Sequence, residues 1–328
     1  LEHDYDLSEF SISLHPQPQK FNYFTQSYLD EKKGSKKQSY KTYALDKKSG
    51  ITGKNAIAFD KSNRIFKKET KDWVNSTNDG INGQTPEKDL KEKVKAQQQS
   101  FALNQVRITG RSSNSGVAIG NIVEIDDEKY RIIEVVHSLS GAEDYENQFE
   151  AVNANIEGYP FTNISSFPVS QSQLAIVKDH NDPDQLGRIR VAFAWQDLIG
   201  EMTPWIRIVT PHAGEDQGIQ FIPEIGDEVL VDFEGGDAES PYVIGALYHT
   251  GNKPGKGWSS EQNNIKVIRT RSGHTIELND TQGEEKISIY TKNEECIISL
   301  DTKEKSLSIK AMESIDISAN NINIKAKE

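Results

Sequence analysis

Leu307-Ser308-Ile309-Lys310-Ala311, Ile315-Asp316-Ile317-Ser318-Ala319 and Ile322-Asn323-Ile324-Lys325-Ala326 repeat one pattern near the C-terminus. Two branched aliphatic residues and an Ala occupy alternate positions, and polar residues fill the gaps. Cys296-Ile297-Ile298-Ser299-Leu300 and Ile287-Ser288-Ile289-Tyr290-Thr291 are looser upstream copies. The starts step by 9, 11, 8 and 7 residues. A period of two puts alternate side chains on one face of a strand. The segments therefore predict five-residue strands joined by short turns, with Ile287, Ile289, Ile298, Leu300, Leu307, Ile309, Ala311, Ile315, Ile317, Ala319, Ile322, Ile324 and Ala326 on the apolar face.

A ribbon of such strands cannot enclose its own core. A single-chain β-helix needs about 20 residues per coil, so a repeat of about eight residues closes around nothing. It can supply one wall of a prism, and three chains would then bury three walls on a common axis. The small third residue suits a place where walls crowd. An intertwined trimeric β-helix is one solution. A two-layer antiparallel meander lying on the rest of the chain is the other, and the repeat alone does not choose.

Upstream, 251–264 is a Gly, Lys, Ser and Asn linker. Before it stand five apolar β runs, at 174–177, 189–195, 205–209, 228–233 and 242–248. Turn residues separate them, from Asn181-Asp182-Pro183-Asp184 to Gly235-Gly236-Asp237. Five strands in about 75 residues match an OB-type barrel, and equally another five-stranded barrel. Residues 157–172 form a second linker. Pro86 after Thr85 predicts a helix to about residue 103, with Thr85 as N-cap and Leu90, Val94 and Phe101 as its apolar stripe. Strands follow it at 106–108, 122–125, 130–136 and 149–156, as a small barrel or sheet, with a hairpin turn at Asp126-Asp127-Glu128. Phe10-Ser11-Ile12-Ser13-Leu14 predicts one more strand, ended by Pro16 and Pro18. Residues 31–85 are polar and predict irregular chain.

The chain has 328 residues and a net charge of -12. Residues 1–100 hold 18 Lys+Arg and 14 Asp+Glu, and residues 101–328 hold 20 and 36, so the net is +4 and then -16. An acidic two-thirds opposes a nucleic-acid surface, which releases counterions with a basic patch. The lysine cluster between Lys32 and Lys48, with Tyr40 and Tyr43 as its aromatics, reads as a solvated loop. No apolar run approaches the roughly 18 residues of a membrane helix. One cysteine, Cys296, excludes an intramolecular disulfide.

Asp182-Pro183-Asp184-Gln185-Leu186-Gly187-Arg188, Trp205-Ile206-Arg207, Gly226-Asp227 leading to Asp232, and Gly235-Gly236-Asp237 before Pro241 and Gly245 follow one another in that order. Together they resemble the OB-type domain of VgrG spike proteins of type VI secretion systems, relatives of phage-tail central spikes. Thr270-Arg271-Ser272-Gly273-His274 is similar to the family's approach to its β-helix. The resemblance implies a mainly β chain in three parts: the second half of a tube-docking hub over 1–165, with a small β-barrel and one helix; an OB-type barrel over 166–250; and a linker and trimeric β-helix spike over 251–328. It implies a homotrimer that docks an inner-tube protein at the hub. A PAAR-like tip protein and effectors would sit at the far end, since Asn323-Ile324-Lys325 offers no His-x-His metal tip. The spike would assemble in the cytoplasm, leave with the tube and touch a target membrane only in passing. No enzyme activity or cofactor is implied. No lysozyme domain fits between Tyr248 and Ile265, and Leu1 in place of Met implies an N-terminally incomplete chain.

Catalytic alternatives are weak on the residues. The seven histidines show no helical metal-pair spacing. Asp227, Glu228, Asp232, Glu234, Asp237 and Glu239 are dense enough for paired-carboxylate hydrolysis, but they fall on strands and turns that call for Asp and Gly anyway. Phe193, Trp195 and Trp205 beside Arg188, Arg190 and Arg207 keep a second function open: a barrel that binds polysaccharide or single-stranded nucleic acid.

Overall fold

A computed structural model of the chain describes residues 7–26, 40–48, 50–74, 86–141 and 144–326. Its contacts divide the chain into two compact units, one of Leu1–Ile222 with Val229–Gly245 and one of Pro223–Glu228 with Ala246–Glu328.

The first unit begins with β1 (Leu7–Leu14), β2 (Phe21–Gln26) and β3 (Tyr40–Leu45). Then come α1 (Gly53–Ile65), β4 (Thr70–Trp73) and α2 (Pro86–Gln105). The expectation of irregular chain over 31–85 is therefore wrong across 40–48 and 50–74, the rest of that range lying outside the described residues, and the part expected to be a hub carries two long helices where one was expected. The cause lies in α1, whose buried residues are Asn55, Ala58, Phe59 and Ser62. Two of those four are polar, so no aliphatic stripe marks the helix. They are satisfied inside: Asn55 Nδ2 donates to the Ala102 carbonyl at 2.5 Å, and Gln105 Nε2 donates to Ser62 Oγ at 2.8 Å. In α2, Leu90 and Val94 are buried against Phe21, Tyr23 and Val74, as the stripe predicts. Thr85 and most of the lysine cluster lie outside the described residues.

β5 (Val106–Ser112), β6 (Ile122–Ile125), β7 (Glu128–Ser140) and β8 (Asp144–Asn153) join β1 in a sheet of order β1-β5-β8-β7-β6. It is an open antiparallel sheet, one of the two forms read from the residues and not the small barrel that the resemblance implied, because among the described residues its edge strands β1 and β6 do not pair with each other. The hairpin at Asp126 and Asp127 is as predicted. Both have positive φ, 51° and 59°, the backbone of a two-residue turn matched to strand twist. β2, β3 and β4 make a separate sheet, with β2 and β4 parallel.

β9 (Gln173–Asp179), β10 (Arg190–Phe193), α3 (Ala194–Asp197), a tiny hairpin of β11 (Ala213–Gly214) and β12 (Gln217–Gly218), β13 (Glu228–Phe233) and β14 (Pro241–Ala246) follow. The sheet order is β10-β9-β13-β14. The expected strand at 205–209 is not a continuous ladder. It closes the ring by bridges, Ile206 to Ile189 antiparallel and Ile208 to Val243 parallel. Inside lie Ala175, Val177, Ile189, Val191, Ile206, Val229, Val231 and Val243.

The second unit holds β15 (Ile265–Arg269), β16 (Thr275–Asn279), β17 (Lys286–Tyr290), β18 (Cys296–Asp301) and β19 (Ser306–Ala311), a five-stranded antiparallel meander. Strand lengths and turns match the repeat for β17 to β19. The copies at Ile315 and Ile322 are not strands, contrary to expectation. Among the described residues they have no paired neighbour, and an isolated strand gains no ladder hydrogen bonds.

Candidate functional site

Two features stand out: the turn-rich rim of the ring, and the apolar face of the meander.

On the rim, Asp182 and Arg188 are both buried. Arg188 grips the carboxylate in a fork, Nη2 to Oδ1 at 2.7 Å and Nε to Oδ2 at 3.0 Å. The backbone N–H groups of Asp184, Leu186 and Arg188 donate to the same two oxygens. These bonds, led by Arg188, hold the Asp182 carboxyl well below the usual carboxylate range. Gly187 takes φ +71° where the loop turns back. Pro183 precedes Asp184, which adds a second contact to Arg188 Nη2 at 2.6 Å. This motif is a loop clamp.

The other motif residues serve similar ends. Asp237, also buried, accepts from the Glu239 N–H and from Ser240 Oγ, and closes a loop where Gly235 and Gly236 have positive φ. Asp232 accepts from Ser172 and Tyr242, and the Ser172 hydrogen bond comes first among the causes that lower its pKa. In the second unit, Asp227 accepts from the Glu224 N–H and from Asn252 Nδ2 beside Gly226 at φ +96°. Arg207 reaches Glu234 at 3.3 Å, and Arg190 lies 5.9 Å over the Trp205 ring. Pro241 and Gly245 sit within β14. The carboxylates weighed for hydrolysis are thus largely committed to turns and pairs. Among the described residues, no three His, Cys, Asp or Glu side chains form a group that could hold a metal ion.

The aromatic-basic set is not gathered on one face. Phe193 is buried in the ring core, Arg188 is clamped, and Trp195 is 56% exposed. Trp195 stacks on Phe193 at 5.5 Å and 7°, and its Nε1 donates to Gln173 Oε1 at 3.3 Å. Beside it opens a cleft of about 590 Å³ between the ring and α2. No sequence pattern signals the α2 side, because Asp89 and Lys93 read there as ordinary helix charges.

The meander inverts the usual burial. Ile268, Ile276, Ile289, Ile298 and Ile309 form one cross-strand ladder, and Leu278, Ile287, Leu300 and Leu307 form a second. From β16 to β19 these side chains are 39% to 65% exposed, while Thr275 and Ser299 on the other face are buried. Ala311 shares the ladder face opposite Cys296. Ile315, Ile317, Ile322 and Ile324 are also exposed, and Ala319 and Ala326 lie in the same strandless stretch.

The chain thus carries a ring of this kind in its first unit and an open aliphatic sheet in its second. Residues 173–248 match the family model described as the type VI secretion system/phage-baseplate injector OB domain. The chain is also 32% identical over 122 residues to the type VI secretion system spike protein VgrG5 of Pseudomonas aeruginosa, covering 34% of this chain and 15% of that protein. It is 25% identical over 168 residues to the actin cross-linking toxin VgrG1 of Vibrio cholerae, covering 47% of this chain and 15% of that one. Among solved structures, the E. coli c3393 protein, a type VI secretion system component with similarity to bacteriophage T4 tail proteins gp27 and gp5, aligns with a TM-score of 0.36 at 22% identity. That alignment covers 47% of this chain and 42% of the other. The chain is a homologue of VgrG spike proteins and carries an injector OB domain, and it spans 15% of the length of the two curated relatives named.

Proposed function

We propose that the chain is one protomer of a homotrimeric spike at the tip of a contractile injection apparatus. The hub, over 1–165, docks on an inner-tube protein. The ring within 166–250 is an OB-type barrel that connects hub to spike, and 251–328 forms the spike, with its three walls closed on one axis. A PAAR-like tip protein and effectors sit at its far end. The trimer assembles in the cytoplasm, is driven out with the tube and crosses the target envelope as a mechanical part, without a catalytic step or cofactor.

The two open aliphatic ladders carry this reading. Fully burying one Ile or Leu side chain is worth about 1.5–3 kcal/mol, and a contiguous exposed apolar face on a soluble protein marks an interaction surface. Second copies of the same wall supply matching apolar faces. The opposite face carries Glu277, Ser288, Ser299 and Ser308 in one polar row.

Produced with its native apparatus, a tagged chain is expected in the culture medium and in target cells. Blocking sheath contraction should abolish that release. A chain that stays in the producing cytosol while the apparatus fires contradicts the proposal.

A further inference from the structure

The cleft beside Trp195 is lined by both apolar and polar groups. Its floor is aromatic: Trp195 lies on Phe193, and Phe193 stacks in turn on Phe233 at 6.1 Å. The indole is fixed before any ligand arrives, by the stack and by its bond to Gln173. Gln196 is held too, since its Oε1 accepts from the Phe193 N–H at 3.2 Å. That leaves the Gln196 amide N–H₂ as a donor with no partner among the described residues. Glu239, exposed on the rim, offers an unpartnered carboxylate among the described residues. The cation on the lining, Lys93, lies 2.9 Å from Asp89.

We infer that this cleft is a glycan-binding site, which takes one or two sugar rings of a hexosamine or hexose chain against the Trp195 face. The apolar C–H face of a pyranose packs on an indole, and its equatorial hydroxyls need a donor and an acceptor at the ring edge. Gln196 and Glu239 supply these. About 590 Å³ falls in the range of small-ligand sites. A nucleic-acid strand would bring a phosphate beside the Glu239 carboxylate, with repulsion there, while the Lys93 charge is already taken up by Asp89. The inference goes beyond the spike reading and stands without it, because the cleft is complete within one chain.

Titration of the full chain with chitotetraose, read by calorimetry, tests it. Saturable binding at a Kd of 10 mM or tighter is expected, weakened at least tenfold in Trp195→Ala and threefold or more in Glu239→Gln. Both variants should keep the wild-type circular dichroism and assembled mass. If Trp195→Ala does not fold, Trp195→Phe and Glu239→Gln carry the test by the same weakening. No binding up to 10 mM chitotetraose, equal binding in all variants, or binding of a dT15 oligonucleotide in place of the glycan overturns the inference. Failure there with wild-type trimer mass would leave the spike proposal standing.

Discussion

At Asp182 the physics of a single side chain decides the shape of a whole loop. Its two oxygens serve an arginine fork and three backbone N–H groups in a buried setting. Asp182→Asn takes the buried carboxylate from Arg188 and leaves the exposed one of Asp184 in contact, and removing one partner of a buried pair costs about 3–5 kcal/mol. A lower urea midpoint for barrel unfolding is expected. The pH sign follows from the lowered folded pKa. The contribution is present above the ordinary carboxylate value of about 4 and is lost as pH falls through the folded value. Wild-type stability should therefore decline below about pH 4 more steeply than that of Asp182→Asn, and equal slopes would remove the pair from the account. Gly110 is a second decisive residue. A Cβ there would lie 2.5 Å from Phe149 Cζ, so Gly110→Ala should cost about 1–3 kcal/mol by overpacking, partly recovered by Phe149→Leu. At this scale the sequence showed which residues matter but not why. The Asp182 to Arg188 motif was visible as a string, whereas its five-bond clamp depends on loop geometry.

Among the elements, those with aliphatic periodicity were legible: α2 from Leu90 and Val94, and β17 to β19 from the alternate Ile and Leu. Those whose interior is polar or assembled from distant parts were not. α1 buries Asn55 and Ser62, which look like surface residues until Ala102 and Gln105 arrive from another helix. The Trp195 cleft has one side from α2 and the other from the ring, with no shared motif. The segments at Ile315 and Ile322 show the opposite failure, strand-like patterns without a strand. The meander yields a direct expectation. Ile298→Asp, at the centre of a ladder, should reduce the assembled mass to that of one chain while circular dichroism keeps the sheet signal. Burying that carboxylate between walls costs several kcal/mol, whereas in the single chain Ile298 is 41% exposed and its loss is tolerated. Ile317→Asp should act in the same way if 312–326 joins the walls on assembly. Wild-type mass for Ile317→Asp would place that segment outside the interface.

For the whole molecule, the low hydrophobic fraction of 35% and the charge of -12 take on meaning only with the open ladders. Part of the apolar surface that one chain buries inside a domain is here left on an outer face, in the acidic portion that follows residue 100. Truncation after Lys256 removes the meander and should weaken association while the ring of β9 to β14 persists. In the proposed spike three copies close their walls on each other, as a cyclic assembly with one interface repeated. Light scattering on the purified full chain at micromolar concentration distinguishes three copies from one. Three chains of 36.8 kDa give about 110 kDa, and that is the mass expected. A stable species at the mass of one chain, with the ladders still facing water, would contradict it.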